Sequence, residues 1–255
     1  MARYSMVIDL ERCTGCRACM QACKVENNTP TASLWMYVFR FEEGTYPNTH
    51  VWLMPRPCMH CNNAPCVKVC PVGARYKREG GLTATDWERC IGCRYCMQAC
   101  PYGVRYFNEM DPKRNYYLDW EGSSLQGSNP GTGGVIPPYK NPDLDQRYPV
   151  GLSQFRGETA LLAGGGRLKG VVKKCTFCAQ RVEKGLVPAC VANCPLFALH
   201  FSDLEDPHSR VSGLLQKHPH FRLLDEFGTK PKVYYLRGQP LDMEAREIEV
   251  PGVST

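Results

Sequence analysis

Sixteen cysteines fall into four sets of four with none left over. The sets are Cys13, Cys16, Cys19 and Cys23; Cys58, Cys61, Cys66 and Cys70; Cys90, Cys93, Cys96 and Cys100; and Cys175, Cys178, Cys190 and Cys194. A chain written this way must gather its sulfurs, as disulfides, as zinc sites or as iron-sulfur centres. Disulfides staple chains too short to bury a core, whereas 255 residues with 43% hydrophobic content build one unaided. The sequence also opens directly on a strand-like run, with neither an apolar leader nor twin arginines, so nothing here implies an oxidising compartment. Zinc sites join two well-separated C-x2-C pairs. Here a third cysteine follows close behind, and Pro71, Pro101 and Pro195 each follow the last cysteine of a set.

Cys90 to Pro101 spells C-x2-C-x2-C-x3-C-P, the spacing with which bacterial ferredoxins hold cubanes. A tight loop can turn three such thiolates onto one [4Fe-4S] cluster while backbone N–H groups face its sulfides, leaving the fourth cysteine out of reach. In two-cluster ferredoxins that cysteine ligates the other cluster, so two runs trade their last ligands. Applied to the second and third sets, the rule gives Cys58, Cys61, Cys66 and Cys100 at one cluster and Cys70, Cys90, Cys93 and Cys96 at another. The first and fourth sets trade likewise: Cys13, Cys16, Cys19 and Cys194 at one cluster, Cys23, Cys175, Cys178 and Cys190 at the last. The expected cofactors are four [4Fe-4S] clusters, with every iron closed to substrate and electron transfer left as the chemistry. No C-x3-C-x2-C triplet of a radical enzyme is present. His60, between two of the cysteines, reads as a packed or hydrogen-bonding residue rather than a ligand.

The expected fold class is α+β: two bacterial-ferredoxin-like modules with interleaved ligation, a β-hairpin insert and a long Gly/Pro-rich insert. Residues 1–30 with 171–205 make the outer module, 31–57 the hairpin, 58–110 the inner module, 111–170 the second insert, and 206–255 a C-terminal helix, strand and tail. A strand at Tyr4–Asp9, a cysteine loop and a short helix at Arg17–Val25 recur as a strand at Leu82–Asp86, a loop and a helix at Arg94–Cys100. Lys24 rather than proline follows Cys23, which lets the first helix run on through Val25 and Glu26. Gly15 and Gly92 suit a positive φ in their loops, whereas Met59-His60 and Thr176-Phe177 predict two loops of different detail. Leu34–Glu42 alternates with the period of a strand and Thr49–Met54 returns beyond Gly44, Pro47 and Asn48. Glycine and proline fill roughly a third of positions 122–170, which reads as an arm for docking a partner. Beyond it come a strand at Leu196–Phe201, a helix capped by Asp206-Pro207 and running to Lys217, and a strand at Lys232–Leu236.

The net charge of +6 is dispersed rather than gathered into a nucleic-acid-binding stripe. Arg17, Lys24, Lys68, Arg94, Lys173, Lys174 and Arg181 lie near the cysteine sets, where they can offset thiolate charge and tune cluster potentials. No apolar run approaches the eighteen or so residues of a spanning helix, so membrane contact is expected only through a partner.

Several segments carry a family resemblance: Met6-Val-Ile-Asp-Leu, Cys23-Lys-Val-Glu-Asn-Asn, Gly44-Thr-Tyr-Pro, Cys66-Val-Lys-Val-Cys-Pro, Cys96-Met-Gln-Ala-Cys-Pro-Tyr-Gly-Val-Arg-Tyr, Cys175-Thr-Phe-Cys, Asp203-Leu-Glu-Asp-Pro and Lys230-Pro-Lys-Val-Tyr-Tyr-Leu. Together they resemble the four-cluster iron-sulfur subunit of molybdopterin oxidoreductases, among them the polysulfide, thiosulfate, tetrathionate, arsenate and dimethyl sulfoxide reductases. The resemblance covers most of the chain. It implies a non-catalytic subunit that relays single electrons between a molybdenum or tungsten molybdopterin catalytic subunit and an integral membrane anchor of the polysulfide reductase type. It also implies peripheral attachment to the membrane through that partner, with the periplasmic face, reached by co-export, favoured over the cytoplasmic one. Some relatives replace one cysteine and hold an altered cluster; this chain keeps all sixteen. The alternatives from other classes are a free-standing soluble polyferredoxin and a structural zinc protein.

Overall fold

The computed structural model of the chain describes residues 3–27, 29, 33–109, 169–183, 185–238 and 246–247. β1 (Tyr4–Asp9) enters the first cysteine loop and α1 (Ala18–Asn27) leaves it. A hairpin of β2 (Tyr37–Thr45) and β3 (Asn48–Arg56) follows. The second and third sets lie on α2 (Pro65–Lys68), β4 (Arg75–Lys77), β5 (Thr83–Thr85), α3 (Tyr95–Gln98) and β6 (Tyr106–Phe107). The fourth set is carried by β7 (Val172–Lys173), α4 (Ala179–Val182), α5 (Ala189–Ala192) and β8 (Leu199–Asp203). α6 (Arg210–Lys217), β9 (His220–Phe221), β10 (Val233–Leu236) and β11 (Arg246–Glu247) complete the order. α1 runs for 10 residues, as Lys24 allows, while the other cysteine-bearing helices are single turns. Three of these are stopped within a few residues by Pro71, Pro101 or Pro195.

The main sheet has the order β8-β1-β10-β9, with β1 parallel to β10 and antiparallel to β8. Ile8 stands opposite Leu199, so the strand entering the first set lies along the strand leaving the fourth, and residues far apart in sequence become neighbours. β1 is buried on both faces. Met6 and Ile8 join the main core with Met59, Trp87, Phe177 and Tyr235, while Val7 meets Val211 and Leu236 in a smaller core beneath α6. β6 pairs with β7, which ties the end of the third set to the start of the fourth. β11 adds itself to the free edge of β2.

Several boundaries differ from the sequence expectation. β2 begins at Tyr37 rather than Leu34, where its ladder with β3 ends at the Tyr37–Arg56 pair. α6 is capped by Ser209, whose hydroxyl accepts from the Ser212 N–H at 3.2 Å; Asp206 instead caps the preceding turn, accepting from His208 N–H at 2.9 Å. β8 starts at Leu199, since the chain turns after Pro195 with Phe197 N–H on the Cys194 carbonyl. β5 is shorter by a residue at each end. The expected 111–170 insert lies outside the described residues except for Lys169 and Gly170, and so does the tail beyond 238 except for Arg246 and Glu247.

Candidate metal centres

The β1–β8 pairing sets Cys13, Cys16, Cys19 and Cys194 around one cavity, site A. A second cavity, site C, is lined by Cys58, Cys61, Cys66 and Cys100. At site B, Cys23, Cys175, Cys178 and Cys190 are all buried and within electrostatic reach of one another. At site D, Cys70 packs against Cys90, Arg75 reaches both Cys96 and Cys90, and Cys93 stands exposed on the same loop. The structure thus gathers sets that the sequence separates, and the local cause is helical geometry. In Cys19/Cys23, Cys66/Cys70, Cys96/Cys100 and Cys190/Cys194 the last two cysteines are about one helical turn apart, Cys23 within its helix and Cys70, Cys100 and Cys194 two residues past the end of theirs, so each such turn offers one thiol to each of two sites.

Contacts between sites give their order. Cys23 and Cys190 of site B both lie within electrostatic reach of Cys19 of site A. Cys58 of site C lies within electrostatic reach of Cys175 of site B. Arg105 reaches Cys66 and Cys58 of site C and Cys96 of site D. The series is A, B, C, D, and the exposed cysteines are Cys16 and Cys93, one at each end.

Crowding shows in the thiols themselves. Burial, then Cys13 and Cys194, push Cys19 up to about 12. Burial and then Cys58 push Cys61 to about 12 and Cys175 to about 11, and burial, Glu26 and Cys175 push Cys178 to about 12. Thiols so placed are poor anions alone and become thiolates when a metal supplies counter-charge. Among the described residues no three ligating side chains converge tightly enough for a single metal ion.

In all four C-x2-C loops the residue before the second cysteine is left-handed, yet the loops differ in detail as Met59-His60 and Thr176-Phe177 predict: a second left-handed residue is Arg17 or Arg94 in the first and third, Cys178 in the fourth, and is lacking in the second. The residue before the second cysteine has φ 68° at Gly15 and 74° at Gly92, and also 44° at His60 and 55° at Phe177. A left-handed residue with a Cβ is strained, and packing supports it here. The two rings stack on each other at 4.0 Å, both fully buried between sites B and C. His60 Nδ1 accepts from Thr83 N–H at 3.2 Å, which leaves Nε2 to donate to the Cys175 carbonyl at 3.0 Å. Burial, then Lys174, Lys77 and Lys232, hold this imidazole well below its ordinary value, so it is neutral.

The buried cations show whether an anionic cluster fits. Arg75 donates to Cys96 Sγ at 3.4 Å and to the Val172 carbonyl at 2.6 Å. Arg105 donates through Nη2 to Cys66 Sγ and lines site C, while its buried Nε and Nη1 have no partner. Lys174, 1% exposed, donates to the Cys175 carbonyl at 2.9 Å. Among the described residues none of the three pairs with a carboxylate. A buried ion without counter-charge costs several kcal/mol. Four thiolates around a cluster provide that charge, and its sulfides can accept from the idle N–H groups of Arg105. Of the cations singled out from sequence, Lys174 lies deepest, Arg181 pairs with Glu26, Arg94 sits over the Phe107 ring, and Lys68 is exposed. Arg75 and Arg105 were not among them, although a repeat marks both: Cys70-Pro-Val-Gly-Ala-Arg-Tyr and Cys100-Pro-Tyr-Gly-Val-Arg-Tyr place each arginine five residues after the last cysteine.

A family model described as a 4Fe-4S dicluster domain matches residues 49–115 and 166–204, and one described as a 4Fe-4S binding domain matches residues 4–25. The chain is 42% identical to the iron-sulfur subunit of the arsenate respiratory reductase of Shewanella sp. strain ANA-3, over 92% of this chain and 96% of that one. It is 39% identical to a putative dimethyl sulfoxide reductase iron-sulfur subunit of Halobacterium salinarum, over 94% of this chain and 80% of the relative. With a tetrathionate reductase subunit of Salmonella typhimurium it shares 36% identity over 92% and 72% of the two chains. The chain belongs to the iron-sulfur subunits of respiratory reductases. It is an electron-transfer subunit that binds [4Fe-4S] clusters and is not catalytic itself. Membership implies a catalytic partner. Among the described residues no helix is long and apolar enough to cross a membrane.

Proposed function

We propose that this subunit carries four [4Fe-4S] clusters and passes single electrons along them between a quinone-reactive membrane anchor of the polysulfide reductase type and a molybdenum or tungsten molybdopterin subunit. Cys13, Cys16, Cys19 and Cys194 would hold the first cluster; Cys23, Cys175, Cys178 and Cys190 the second; Cys58, Cys61, Cys66 and Cys100 the third; and Cys70, Cys90, Cys93 and Cys96 the fourth. When bound, each cluster supplies a one-electron couple. The protein's part is to exclude water from the middle of the row, to fix the gap between sites B and C with the His60–Phe177 stack, and to leave the ends open.

The observation that carries this reading is the linear series with an exposed cysteine at each end. Both ends also expose apolar side chains that suit a protein partner. Leu196 and Phe197 follow Cys194 of site A, and Phe197, 63% exposed, takes φ 52° where the inner module has Gly73 and Gly103. Ile91, Tyr95 and Val72 are exposed beside the cysteines of site D. The relatives' names place the proposed complex in arsenate, sulfoxide or sulfur-compound respiration. Attachment to the membrane is through the anchor, on the periplasmic face by co-export. Anaerobic affinity purification of the chain from its own cells tests the proposal. Co-elution with a molybdenum- or tungsten-containing polypeptide and a membrane protein supports it. A stable monomer loaded with clusters would instead make it a diffusible polyferredoxin.

A further inference from the structure

Sites B, C and D differ in what touches their sulfurs. At site B every donor to a sulfur among the described residues is neutral: the Asn27 amide reaches Cys23 Sγ at 3.6 Å and Cys178 Sγ at 3.7 Å, and Phe177 N–H reaches Cys175 Sγ at 3.4 Å. Among the described residues no nearby cation donates to a site B sulfur, although Lys24 lies within electrostatic reach of Cys23. Lys24 Nζ lies 3.5 Å from both the Thr29 hydroxyl and the Ser33 carbonyl, and Arg181 is paired with Glu26, whose carboxylate sits beside Cys178. Lys174 stands between sites B and C and counts toward both. At sites C and D a buried guanidinium touches a sulfur directly, Arg105 on Cys66 and Arg75 on Cys96. The repeat that supplies these arginines is broken in the outer module, where Leu199 stands at the equivalent place after Cys194 and no proline follows Cys23.

We infer that Arg105 and Arg75 set reduction potentials, holding the clusters of sites C and D above that of site B. The inference rests on the ligand assignment proposed above. Reduction adds one electron to a cluster and neither a proton nor a bond. A cation on a ligand sulfur, in an interior that screens weakly, stabilises the added charge; burial among neutral donors does not. Donation from a charged group is also roughly twice as strong as from a neutral one. An electron passing along the row is therefore lost by site B and gained by site C with a fall in energy, and it rests at the inner module.

The test is a redox titration of the intact, anaerobically purified complex, followed by electron paramagnetic resonance, with iron determined on the same samples. Arg105→Met should lower most the midpoint potential of one cluster, and Arg75→Met most that of a different one, with iron content unchanged and a smaller shift at the neighbouring cluster of the pair. Arg105→Lys, which keeps the charge and loses the fork, should fall between wild type and Arg105→Met. If the Met variants lose iron, the Lys variants and the wild-type ordering decide: site B, identified by the signal altered in Cys23→Ser, must be lower than C and D. Unshifted potentials at full iron content, equal shifts of every cluster, or site B above C and D would each overturn the inference. Those results leave the ligand assignment intact, whereas a deficit of clusters in the wild-type complex would remove that assignment and this inference with it.

Discussion

Phe177 offers a test in which backbone and side chain can be separated. Its ring is 0% exposed, stacked on His60 at 4.0 Å and edge-on to Phe201 at 5.4 Å, while its φ of 55° is one that a Cβ disfavours. Phe177→Ala removes the ring and should cost about 3–5 kcal/mol. Phe177→Gly opens the same hole plus one methyl but sheds the left-handed penalty of roughly 1–2 kcal/mol. At an ordinary position glycine would be worse than alanine by about 0.5–1 kcal/mol. Here the order should reverse, with the glycine variant better by about 1 kcal/mol, close to a fivefold difference in equilibrium. The assay is loss of visible cluster absorption from the anaerobic complex at a fixed denaturant concentration. The alanine variant should bleach on the order of a hundredfold faster than wild type, and the glycine variant about fivefold slower than alanine. A glycine variant that bleaches as fast as alanine, or faster, would refute the strained-loop reasoning.

Interleaved ligation predicts that Cys23→Ser and Cys190→Ser disturb one and the same resonance signal, and Cys19→Ser and Cys194→Ser another; Cys19→Ser and Cys23→Ser altering a single common signal would contradict it. A Cβ at Gly92 would meet the Gly170 carbonyl oxygen at 2.3 Å, whereas one at Gly15 would meet only the flexible Leu53 side chain, at 2.8 Å. Gly92→Ala should therefore deplete iron at its site, and Gly15→Ala should keep it at a cost of about 1–2 kcal/mol. His200, in β8, is pushed down to about 4, first by burial and then by Arg210. The neutral ring is thus favoured in the fold, and its contribution is complete above the unfolded value near 6.5 and is lost as pH falls toward 4. Between pH 7 and 4.5 the wild type should lose on the order of 2 kcal/mol more stability than His200→Gln, as seen in denaturation midpoints.

Much of this was legible in the sequence because cysteine spacing encodes geometry directly. Four residues on a helix are about one turn, so the proposed trade of fourth ligands is written in the spacing of Cys19/Cys23 and Cys96/Cys100 before any strand is placed. Lys24 in place of proline likewise announced the longer first helix. What could not be read is what depends on tertiary packing. His60 and Phe177 occupy the place of loop glycines and stay left-handed because each ring buries against the other, while the residues after them turn differently from Arg17 and Arg94, the difference in detail that the missing glycines foretold. Asp206-Pro207 looked like a cap, yet Ser209, with its hydroxyl free to reach Ser212, competes better. Arg75 opens β4 and Arg105 immediately precedes β6, both away from the C-x2-C loops, so proximity in sequence favoured Arg17 or Lys68, whose side chains face water to a greater degree.

The most direct measurement is iron and acid-labile sulfide per chain in the anaerobically purified complex, combined with Mössbauer spectroscopy to identify cluster type. After subtraction of any iron held by partners, about sixteen irons and as many sulfides, all in cubanes, are expected. A chain that carries zinc, that holds cysteines joined as disulfides, or that accounts for only two cubanes would contradict the four-site relay.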